Sequence, residues 1–140
     1  MNPELDVKLC DKYPAIFRDR HGDIQSSCMP WGFECGDGWY WLIDRLCGCV
    51  QSYTKANSRL NDIPQVVATQ VKEKFGGLRF YYGGGDEVIG GMIWLAENMS
   101  YHICEQCGST HNVTQSNGGW TYTRCEKCHT LKEGSDVSIN

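Results

Sequence analysis

Two cysteine pairs near the carboxyl end constrain this chain more tightly than any other feature. Cys104 and Cys107 enclose Glu105-Gln106, Cys125 and Cys128 enclose Glu126-Lys127, and 17 residues separate the pairs. This is the C-x2-C-x15–20-C-x2-C signature of a zinc ribbon or a related knuckle. The short gap matters because a tight turn then aims both sulfurs at one ion about 2.3 Å away. Gly108 follows Cys107 and supplies the turned backbone that a knuckle needs. Four protein ligands leave no open position for water, so the pattern predicts one structural Zn2+ and not a catalytic metal. His129 adjoins Cys128 and stands as the alternative fourth ligand.

The 140 residues contain nine cysteines, an odd number. The amino end carries Glu4, Asp6, Lys8, Asp11 and Lys12 and lacks the apolar stretch of an export signal. No run of about 18 apolar residues offers a membrane span. A cytoplasmic protein with reduced thiols is therefore expected, in which cysteine pairs bind metal instead of bridging. Cys10, Cys28, Cys35, Cys47 and Cys49 follow no common ligand spacing. They read as small apolar side chains. A second zinc drawn from Cys28, Cys35, Cys47 or Cys49 with His21 is the alternative.

Along the chain, Asn2-Pro3-Glu4 has the chemistry of a helix start and Pro14 closes that helix. Residues 19–30 are polar loop, and 31–38 (WGFECGDG) read as irregular. Asp37 is placed to cap a second helix from Gly38 to Ala56, whose apolar residues recur three or four apart. Val67, Thr69 and Val71 alternate with Ala68, Gln70 and Lys72 as in a strand, Phe75 to Leu78 turn, and Arg79 to Tyr82 return. Asp86 caps a third helix to about Met99, with Val88, Ile89, Met92, Ile93, Leu95, Ala96 and Met99 inward. Gly90-Gly91 costs that helix roughly 1 kcal/mol per residue relative to Ala. The expected fold is α+β: three helices on a short β-hairpin in residues 1–99, a zinc ribbon in 100–130 and a flexible tail in 131–140.

Other chemistry is weaker. Trp31, Phe33, Trp39 and Tyr81 could offer stacking faces, and Lys72, Lys74 and Arg79 make the hairpin locally basic, so a nucleotide-like ligand is one reading. Glu34 and Asp37 are the carboxylates nearest those aromatics. The loop Gly83-Gly84-Gly85 before a helix could present N–H groups to an anion. Against phosphate gripping, 13 Lys and Arg face 17 Asp and Glu, a net charge of −4. No GxSxG, HExxH or phosphate-loop motif occurs, and no catalytic residue is assigned.

The strings LCDKYPAIFRDR at 9–20, WGFECGDGWYWLID at 31–44 and QVKEKFGGLRFYY at 70–82, with the closing knuckles, resemble a group of small tailed-phage and prophage proteins that end in a zinc-binding module. The resemblance spans about residues 5 to 129. In that group the last ligand is usually His in a C-x2-H ending, where this chain has Cys128. The resemblance implies a bacterial host cytoplasm as the setting. The function expected is that of a non-enzymatic accessory protein that binds and blocks or redirects a bacterial host protein, with host-defence antagonism as one form. A nucleotide-like small molecule is the alternative partner, nucleic acid comes after it, and no membrane is involved.

Overall fold

A computed structural model describes residues 1–60, 62–116 and 118–133. Helix α1 (Pro3–Lys12) starts where expected: the Asn2 side chain accepts the Leu5 N–H, and Tyr13 closes the helix before Pro14. The segment that follows is pinned to α1 by Arg20, whose guanidinium donates to both Asp6 oxygens and to the Pro30 carbonyl.

Phe33–Glu34 then forms a short strand, β1, where the sequence suggested irregular chain. A single 3-10 turn, Asp37–Trp39, leads into helix α2 (Tyr40–Asn57). Asp37 does not cap α2. Its carboxylate accepts instead from the backbone N–H and side-chain amide of Asn2, tying the turn to the start of α1.

Strands β2 (Val67–Lys74) and β3 (Gly77–Gly83) form the expected hairpin. Its two-residue turn places Phe75 and Gly76 at positive φ, the primed geometry that matches strand twist. β1 adds to β2 in parallel, with Phe33 opposite Val71, so the hairpin is part of a three-stranded mixed sheet ordered β1-β2-β3. Backbone groups outside the ladder find partners on β3 and on the part of β2 that β1 does not cover. On β3 the Leu78 and Phe80 N–H groups donate to Ser100 and Glu97 side chains. At a bulge on β2, Ala68 donates to Ile16 O and Thr69 O accepts from Cys28.

Helix α3 (Glu87–Ser100) is capped by Asp86, which accepts the Ile89 N–H. Only Ile89, Ile93, Ala96 and Ser100 are buried along it. Val88, Leu95 and Met99 are exposed, contrary to the inward placement expected, because one helix face suffices to cover the sheet. The core joins Leu9, Ile16, Phe17, Met29, Phe33, Trp39, Ile43, Val50, Val71, Leu78, Phe80 and Ile93.

After α3 come a first cysteine turn, strands β4 (Val113–Gln115) and β5 (Thr123–Cys125) as an antiparallel pair, and helix α4 (Glu126–Glu133). The helix is a departure from a ribbon, in which the second cysteine pair sits between strands. There are thus four helices among the described residues, not three. α4 runs through Leu131 to Glu133, into the stretch expected to be tail. Residues 134–140 of that tail lie outside the described residues. No helix among those described is long and apolar enough to cross a membrane.

Candidate metal centre

The four cysteines of the sequence pattern converge. Cys104 and Cys107 come from the turn after α3, Cys125 from the end of β5 and Cys128 from the first turn of α4. All four sulfurs lie within 4.8 Å of one another, and Cys107 Sγ is 3.6 Å from Cys125 Sγ. Sulfurs bound tetrahedrally at about 2.3 Å would stand about 3.8 Å apart, so the cage has the size of a thiolate site. It can hold one metal ion and offers it no vacant coordination position.

His129 is not part of the cage. Its Nε2 lies 3.3 Å from Thr114 Oγ1 and its ring packs against Tyr122. One residue further along a helix than Cys128, it points about 100° away, and Cys128 is the fourth sulfur of the cage.

The cage is prepared for anionic sulfur at one member. Burial opposes ionisation of Cys104, but backbone N–H groups of Cys125, Cys107 and Gln106 outweigh it and bring the thiol down to about 7. Cys128 is pushed up to about 12 by burial and by the neighbouring thiols. A cation among the sulfurs removes that mutual cost. Among the described residues, Cys104, Cys125 and Cys128, with Val113 against them, are also the buried apolar cluster of this module. Without an ion it has almost no core of its own.

The distinctive WGFECGDGW string owes two of its three glycines, Gly36 and Gly38, to this centre, while Gly32 stands at positive φ against Asp6 and Arg20. A Cβ on Gly38 would lie 2.1 Å from Cys104 O and 2.5 Å from Gly108 N, and one on Gly36 would lie 2.3 Å from Glu105 O. Gly38 N–H donates to Glu105 O, Gly36 N–H to the Glu105 carboxylate, and Trp39 Nε1 to Ile103 O. On the other side Thr123 Oγ1 donates to Gly76 O at the hairpin tip. Sequence reasoning missed these residues because their partners are about 65 positions away; unexplained glycines flanking a Trp were the available signal.

The other predicted residues do not assemble into one site. Phe33 and Trp39 are buried, Phe33 with its ring 4.9 Å from that of Phe17, so neither can stack on a ligand. Glu34 is exposed and accepts from Gln70, not enclosed by aromatics. Lys72 and Arg79 are cross-strand partners, and Glu34 pairs with Lys72 on the same face. Arg79 donates to Tyr101 OH and Leu78 O, Lys74 lies over Phe75, and Trp31 and Tyr81 are exposed. Asp37 is engaged by Asn2. The glycine loop is not an open anion cradle: Gly85 N–H donates to Pro64 O, and a Cβ on Gly84 would lie 2.1 Å from Gln65 O. Among the described residues, Cys10, Cys28, Cys35, Cys47, Cys49 and His21 form no further cluster of three ligating groups. Burial pushes Cys35 up to about 12, and burial with the Asp6 carboxylate does the same to Cys10.

Comparison of the chain with protein-family models, with curated proteins and with solved structures finds no match.

Proposed function

We propose that this chain is a non-enzymatic accessory protein of a tailed phage or prophage, which docks on a bacterial host protein in the host cytoplasm and blocks or redirects it. Antagonism of a host defence factor is one form of that role. The observation that carries the reading is the closed four-thiolate cage, which supports a surface instead of offering a reactive position. We assign its ion as Zn2+, the metal that four thiolates in a compact tetrahedral cage suit best. The cage braces the hairpin tip: Gly76 packs against Gln115, Thr121 and Thr123. Next to these contacts stand Phe75 and Trp120, both strongly exposed. Aromatic side chains held out by a rigid base are typical anchors of protein interfaces. A net charge of −4 and two negative charges on a tetrathiolate zinc suit a protein partner better than phosphate.

Affinity capture from bacterial lysate with the full zinc-loaded chain tests this. A stoichiometric host protein is expected on the native chain and absent from a Phe75→Ser, Trp120→Ser variant that keeps its metal. Failure to retain any stoichiometric protein defeats the reading. The alternative of a nucleotide-like ligand draws support from the accessible side chains of Lys72 and Tyr81 on the sheet and of Trp31 in the turn before β1. A melting shift with nucleotides would favour it.

A further inference from the structure

Gly91 sits in the middle of α3, where glycine costs roughly 1 kcal/mol relative to Ala. Among the described residues nothing requires it. Its φ is not in the left-handed range, and a Cβ there would meet no atom within 4 Å. The same holds nearly as well for Gly90, whose Cβ would make only an ordinary contact with Tyr82 OH at 3.5 Å. A notch kept without an internal reason suits the close approach of a second backbone.

The surroundings of the notch are apolar and open. Val88, Trp94, Leu95 and Met99 are exposed on α3, and Trp41 on α2 faces the groove that Met92, Leu95, Ala96 and Met99 line with Leu46 and Cys49. Between Val88 and Met99 the outward side of α3 carries no charge: Glu97 turns to the Phe80 N–H, and Asn98 folds back onto Trp94 O. Arg45 at the groove rim is paired with Asp44 at 2.7 Å.

From these features we infer that the α2–α3 face is the contact between two copies of this chain, related by a two-fold axis. The area supports this occupant. With aromatic side chains of about 150–250 Å² each, Trp41 at 60% and Trp94 at 66% exposure join Val88, Leu95 and Met99 to leave roughly 500 Å² of apolar surface uncovered. That is more than half of the about 800 Å² that each partner gives to a standard interface, and it lies in the range of the largest, often functional, apolar patches of small proteins. A two-fold contact must be complementary to itself, and this one combines a notch with bulky neighbours on one helix. Apart from Arg45, which Asp44 neutralises at the rim, its face brings no charges together, although each chain carries −4 overall. The pairing is independent of any host partner, whose proposed docking residues Phe75 and Trp120 are elsewhere in the chain.

Light scattering during size-exclusion chromatography of the metal-loaded chain reads this directly. Twice the chain mass is expected at about 100 µM, with Leu95→Glu weakening association at least about tenfold. Gly91→Ala is expected to weaken it too, while the chain melts no lower than the native protein. Neither substitution touches a buried position, so circular dichroism should be unchanged. A native chain that stays monomeric at that concentration, whatever foreign protein covers the face, overturns the inference. So does a dimer indifferent to both substitutions.

Discussion

Asp44 is the buried carboxylate through which the first two helices are tied. It accepts from Lys12 Nζ at 2.7 Å, from Tyr13 OH at 2.9 Å and from Arg45 Nη2 at 2.7 Å. Burial alone would raise its carboxyl, but the Lys12, Arg45 and Tyr13 donors outweigh that and hold it at about 2, below the usual 3.8. A depressed folded value means stability that is complete above the unfolded value and is lost as pH falls through the folded one. Because Lys12 and Arg45 are half exposed, solvent screening limits the effect to about 1–2 kcal/mol. Asp44→Asn should lose that amount at neutral pH in denaturant unfolding. Its stability should then change less than the native chain's between pH 4 and pH 2. Equal slopes for the two proteins would show that the carboxylate does not carry the linkage. The sequence revealed the Arg45 neighbour of Asp44, but Lys12 and Tyr13, about 30 positions away, reach it only in the folded chain.

At the scale of elements, the contact between the first cysteine turn and the 3-10 turn before α2 is tight enough to transmit strain. A methyl on Gly38 has three backbone atoms in its way, Cys104 O, Gly108 N and Glu105 O, and none can swing aside as a side-chain tip would. Gly38→Ala should therefore cost at least about 3 kcal/mol. It should also weaken metal retention, measured by competition with a chromophoric chelator, although residue 38 is no ligand. Unchanged metal affinity would mean that the two turns do not support each other. Local chemistry foretold the individual elements well: Asn2 and Asp86 cap helices, and the alternation from Val67 gives a strand ending in a two-residue turn. It misplaced Asp37, because a cap residue and a residue bonded to a distant amide have the same letter. It missed β1 because two residues are too few for any periodicity.

For the whole molecule, the cysteine cage is stitched to the turn before α2 by Trp39 and Gly38 and to the hairpin tip by Gly76, so loss of its ion should spread beyond the last third of the chain. Chelation is expected to lower the melting temperature of the entire fold in one transition, with release of one ion per chain. Cys128→Ser should reproduce that loss, whereas His129→Ala should bind metal as the native protein does. Two separate transitions, or a His129→Ala chain that binds no metal, would contradict this picture.

The sequence by itself determined three of the four cage cysteines, the starts of α1 and α3 and the hairpin, since each depends on residues within a few positions of one another. Tertiary structure alone decided that Cys128 and not His129 faces the cage, and that Phe33 and Trp39 belong to the core. It also decided that one side of α3 stays uncovered. Those outcomes depend on which segments meet across tens of residues, and packing geometry of that range leaves no periodic trace in a single chain.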